Sequence, residues 1–97
     1  MEKDIFVVIK QIQVLKSDTV IESDIDVLAV FDIRKCAELA IDDDVFKISF
    51  FDKIKSKNPT YDDNGCLDSY IVSCNYNREN YKTIYTYMVR QCKYNLE

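Results

Sequence analysis

The pattern of residues 67–94 constrains this chain most. It reads as two strands joined by a polar turn. Tyr70, Val72 and Cys74 alternate with Ser69, Ile71 and Ser73, the period of two that a strand requires. Residues 75–80 are rich in turn formers. The stretch 81–89 is dense in β-branched and aromatic side chains, which favour a pleated, half-buried surface. A chain with this much pairing potential near one end is organised around a sheet.

The rest of the chain supplies partners for that sheet. In residues 5–15, Phe6, Val8, Ile12 and Val14 share one face, and Ile5, Val7, Ile9 and Leu15 the other. Both faces are apolar, which reads as a central strand covered on both sides at its start. Lys16, Ser17, Asp18 and Thr19 form a turn. In residues 19–31 the odd positions Ile21, Ile25, Val27, Ala29 and Phe31 are apolar, and Glu22, Asp24 and Asp26 are acidic. One face is therefore expected to be buried along the whole strand. Two strands joined by so short a turn pair antiparallel.

Asp32 is expected to cap a helix. Ile33, Cys36, Ala37, Ala40 and Ile41 make its apolar stripe, widened by Leu39. Negative charge at a helix C-terminus is unfavourable by roughly 0.3–1 kcal/mol, so Asp42, Asp43 and Asp44 are placed just beyond the helix. Residues 45–54 read better as a strand, with Phe46, Ile48, Phe50 and Ile54 on one face. A helix capped by Asp43 or Asp44 is the alternative. Residues 53–57 form a basic exit and 58–65 a loop. The expected order is β-β-α-β-β-β, an α+β fold with a mostly antiparallel sheet and one helix packed on one face. Residues 1–95 make one domain. Leu96 and Glu97 read equally well as native sequence or as a cloning remnant.

Composition narrows the function more than it names it. With one Gly and one Pro, glycine-dependent phosphate loops are nearly excluded. Seventeen acids against 13 bases give a net charge of −4, unsuited to a general cationic grip on nucleic acid. The chain has no His, which removes Cys–His and Ser–His nucleophilic catalysis, and a non-enzymatic role is expected. Cys36, Cys66, Cys74 and Cys92 are too far apart for the close ligand pairs of structural zinc sites, so neither metal nor cofactor is expected. Asp62, Asn64 and Gly65 resemble part of a calcium loop, but a turn explains them as well. No stretch reaches the roughly 18 apolar residues of a membrane helix, and no secretory signal is visible. Cytoplasmic placement with reduced thiols is the expectation.

Two groups are candidate partner-binding residues. The first is Tyr81, Tyr85 and Tyr87, on the odd face of the last strand. The even face, with Ile84, Met88 and Cys92, is more apolar, so the tyrosines are expected partly outside. The competing reading is a tyrosine face covered by the helix or by residues 57–66. The second group is Asp42, Asp43 and Asp44, which with Glu22, Asp24 and Asp26 would steer a basic partner. The last strand is expected at a sheet edge, open to strand addition or to a homodimer. These features point to a small acidic interaction protein of the inhibitor, immunity or adaptor type found in bacteria and phages. The alternative is a single-stranded nucleic-acid module that stacks bases on the tyrosines.

Overall fold

The computed structural model describes residues 2–75 and 80–95. The elements are β1 (Glu2–Lys16), β2 (Thr19–Phe31), α1 (Arg34–Ile48), β3 (Lys53–Tyr61), β4 (Leu67–Asn75) and β5 (Tyr81–Asn95). All five strands join one sheet in the order β2-β1-β5-β4-β3, with every neighbouring pair antiparallel. The expected α+β class and element order hold. The turn at 76–79 and the terminal Leu96 and Glu97 lie outside the described residues.

The first hairpin closes on two residues. Lys16 pairs with Thr19, and Ser17 and Asp18 both take positive φ, at 51° and 64°. Successive left-handed residues turn the chain with the twist of the strands, which is why two-residue hairpins use them. The hairpin then departs from simple alternation. Val8 pairs with Ala29 but Ile9 pairs with Val27, so Leu28 is an extra residue, a β-bulge. The bulge shifts the phase of β2. Ala29 and Phe31 fall on the helix side with Val8 and Phe6. Ile25 and Val27 fall on the opposite side with Gln11 and Ile9. The expectation of one apolar face running from Ile21 to Phe31 is therefore corrected.

Helix α1 also departs from expectation at both ends. Its N-cap is Ile33, with no side-chain cap, and Ile33 is exposed. Asp32 pairs instead with Lys3. Its C-terminal end runs through the three aspartates to Ile48. Ala37, Ile41, Val45 and Ile48 form the buried stripe, with spacings of four, four and three. Leu39 and Phe46 point to solvent, where Phe46 meets Phe50 edge-on at 5.1 Å. Residues 45–48 are thus helix, not strand. The third strand starts at Lys53 and contains the stretch 53–61 that had read as a basic exit and a loop. Pro59 is tolerated there because β3 is an edge strand, where one ladder donor can be missing.

The core lies between α1 and one face of the sheet. Ala37, Ile41, Val45 and Ile48 pack with Val8, Val72, Cys74, Tyr85, Tyr87 and Val89. Fully burying an aliphatic side chain such as Ile41 stabilises by about 1.5–3 kcal/mol. The start of the helix is fastened to the loop before β4. Glu38 Oε1 accepts the Leu67 N–H at 2.8 Å, and Arg34 donates to Asp62 and to the Leu67 carbonyl. Asp62 Oδ1 also accepts the N–H groups of Asn64 and Cys66, and Gly65 supplies the positive φ this turn needs. The carboxylate that resembled a calcium ligand is thus engaged in the turn and in the Arg34 ion pair.

Candidate interaction surface

The aromatic strand lies in the middle of the sheet. β5 pairs with β1 over its whole length and with β4 over residues 82–88, so the part that carries Tyr85 and Tyr87 is not an edge, while residues 89–95 pair with β1 alone in the register. Its odd face turns toward the helix: Tyr87 is 0% and Tyr85 6% exposed. The expectation of outward-facing tyrosines is corrected for these two residues. Tyr81 is half-buried, with the Lys16 ammonium 5.5 Å from its ring centre. The stacking surface that a nucleic-acid module would need is thus largely under the helix.

The buried tyrosines bring their own polar partners inside. A buried phenol needs an acceptor, because an unpaired hydroxyl is costly in an apolar setting. Tyr87 donates to Asp44, and Tyr85 donates to Asp52 at 2.6 Å. Lys10 reaches Asp44 at 2.6 Å and sits over both rings, 5.4 and 5.6 Å from their centres. Asp44, Tyr85 and Tyr87, three of the six candidate residues, thus form one internal cluster with Lys10. The helix fans the three aspartates apart. Asp44 turns inward, Asp43 pairs with Lys47 one turn on at 3.0 Å, and Asp42 lies exposed. They do not present one acidic patch.

The same burial raises Tyr70, and it perturbs Cys74 and Tyr87 most strongly. Burial pushes the Cys74 thiol up to about 11. Burial, and then the hydrogen bond to Asp44, raise Tyr87 above its ordinary value. Both groups are neutral in the fold and lose their protons more readily in the unfolded chain. Their stabilisation is present in full below about pH 9 and declines as pH rises, with the Cys74 share lost between about 9 and 11. The melting temperature should therefore fall across that window. A Cys74→Ala variant should melt with a shallower pH slope there. An unchanged slope would show that the thiol is not held as described.

Of the two outer strands, β2 and β3, the acidic one is β2. It is an edge strand, and most of its side chains are exposed. Asp26 lies opposite Lys10, Asp24 opposite Ile12 and Glu22 opposite Val14, which puts the three acids on the helix side of the sheet. Two grooves run there, where α1 does not cover β1 and β2. One of about 360 Å³ is lined by Lys10, Ile12, Asp24, Asp26, Val27 and Leu28. A neighbouring groove is lined by Ile12, Val14, Ile21, Glu22, Ser23 and Asp24. The acids alternate with Ile25 and Val27, which face the other side. The sequence showed these acids but not the open edge beside them, because sheet order depends on distant pairings. Among the described residues, no group of three or more Cys, Asp or Glu side chains is placed to hold a metal ion, and no helix is long and apolar enough to cross a membrane.

The fold and surface thus define a small α+β chain with one acidic, open sheet edge. Compared with family models, with curated proteins and with solved structures, the chain matches none.

Proposed function

We propose that the protein is a small, non-enzymatic, cytoplasmic binding protein of the inhibitor, immunity or adaptor type. It captures an extended segment of another protein by strand addition at β2. The observation that carries this reading is the open β2 edge, whose acids Glu22, Asp24 and Asp26 line grooves on one side while Ile25 and Val27 stand on the other. An added strand gains affinity from main-chain hydrogen bonds and specificity from alternate side chains. The alternation here selects basic residues at every second position, with β-branched residues between them. The acids also discourage the wrong partner. β2 of a second copy would set acid against acid, because like charges opposite one another destabilise a strand pair.

Synthetic peptides alternating Lys with Val should bind, more tightly at low salt. An Asp24→Lys/Asp26→Lys variant should weaken that binding about tenfold, since it replaces two attractions by repulsions at an exposed rim. Fluorescence anisotropy on labelled peptides reads both effects. Binding that ignores salt and survives the double reversal would dismiss the acidic edge as the recognition surface.

A further inference from the structure

The face of the sheet opposite the helix carries aliphatic side chains among uncharged polar ones. Cross-strand rows define it. Val30 and Val7 lie in one row, and Val27, Ile9, Met88 and Ser69 in the next. Ile25, Gln11, Thr86 and Ile71 follow, then Ser23, Gln13, Ile84 and Ser73. The only charge in these rows is Arg90, beside Val7. It is engaged within the chain, 3.6 Å from Asp68 and hydrogen-bonded to the Met88 sulfur at 3.4 Å. Ile25 is 61% and Val27 54% exposed. An antiparallel sheet with one wet face ordinarily carries polar residues there. Here Val7, Ile9, Ile25, Val27, Val30, Ile71, Ile84 and Met88 outnumber Gln11, Gln13, Thr86 and the three serines, and the last three rows hold no charge.

We propose that this face is closed by the same face of a second copy, giving a helix–sheet–sheet–helix dimer. Three properties of the surface select a copy of the same chain. It is uncharged across its centre, so a two-fold axis through it brings no like charges together. The acids Glu22, Asp24, Asp26 and Asp44 all lie on the helix side, away from the contact. Its size is adequate once its rim is included: four strands about 4.8 Å apart and four rows about 6.7 Å apart make a central face of roughly 500 Å², about half of it apolar. The molecule measures 53 by 25 Å in its two longest dimensions, a footprint of roughly 1,300 Å². A standard interface takes about 800 Å² from each partner, so the contact would cover all four rows and the rim around them. Two sheets of like twist then stack about 10 Å apart, with strands crossing at about 30°. The contact is isologous and closes at two copies.

The test is sedimentation equilibrium of the full chain from micromolar to submillimolar concentration. The expected result is twice the chain mass. Ile25→Lys/Val27→Lys should be monomeric throughout, with its dissociation constant raised at least a hundredfold. Both side chains are more than half exposed in the single chain, so its circular dichroism should remain that of the folded protein. If that variant unfolds, Thr86→Lys on the same face replaces it with the same expectation. Asp24→Lys/Asp26→Lys, on the other face, should leave the dimer intact while weakening peptide capture. That separates this proposal from strand addition at β2. A wild type that stays monomeric at every concentration would overturn the dimer, as would a folded Ile25→Lys/Val27→Lys variant that still pairs.

Discussion

An Ala37→Asp variant is expected to be largely unfolded at 25 °C. Ala37 is fully buried between α1 and the sheet. The new carboxylate would be larger than the methyl it replaces and would lie among apolar side chains. A buried, unpaired charge with local overpacking belongs to the mechanisms that cost about 4–5 kcal/mol or more. A domain of this size holds only about 5–15 kcal/mol in total. The control is Leu39→Asp, two residues on and exposed. It should stay within about 0.5 kcal/mol of wild type, the usual range for exposed sites. Urea unfolding followed by circular dichroism measures both. If the two variants lose equal stability, the phase assigned to the helix is wrong.

The pair of substitutions also marks how much of the helix could be read in advance. The stripe through Cys36, Ala37, Ala40 and Ile41 was legible from its period, and Ala37 and Ile41 are its buried members. The end of the helix was not. Asp42, Asp43 and Asp44 form a helix stop by local rules, because Asp favours caps and turns. Here Asp43 is met by Lys47 within the helix, and Asp44 by Lys10 and Tyr87 from strands distant in sequence. Tertiary partners therefore override propensity. Phe46 and Phe50 reinforced the strand reading of 45–54, because their alternation with Ile48 suggested a buried face. Both aromatic rings are in fact outside. Hydrophobicity alone does not report which of two apolar sets is covered.

The sheet shows the same division. The two hairpins were legible because their pairings are local. The central pairing of β1 with β5 joins residues 2–16 to residues 81–95, and no local pattern encodes it. That pairing puts the tyrosine-bearing half of β5 in the middle and leaves β2 and β3 as the outer strands. It also carries the candidate site from the tyrosines to the acids of β2. One signal for it was present: β1 is apolar on both faces, as a strand with two neighbours and two covered sides would be. The helix covers one of those sides, and the proposed second copy covers the other.

The second large effect is expected at the Lys10–Asp44–Tyr87 cluster. Asp44→Ala removes the acceptor from a Lys ammonium and from a fully buried phenol at once. Breaking a buried ion pair by deleting one partner costs about 3–5 kcal/mol, mostly because the other charge is left without compensation. The Lys10 and Asp44 side chains are 19% and 20% exposed, so water offsets part of that loss and about 3 kcal/mol is expected. Tyr87→Phe removes one hydrogen bond and keeps the ion pair, and should cost about 1 kcal/mol. The informative comparison is the triple change Lys10→Met, Asp44→Leu and Tyr87→Phe. It replaces every polar member by an apolar group of similar volume and should return to within about 1.5 kcal/mol of wild type. Urea denaturation of the four proteins at pH 7 gives the comparison. A triple variant as weak as Asp44→Ala would mean that the cluster contributes more than the mutual neutralisation of buried groups. An Asp44→Ala variant within 0.5 kcal/mol of wild type would mean that Lys10 and Tyr87 have other partners available.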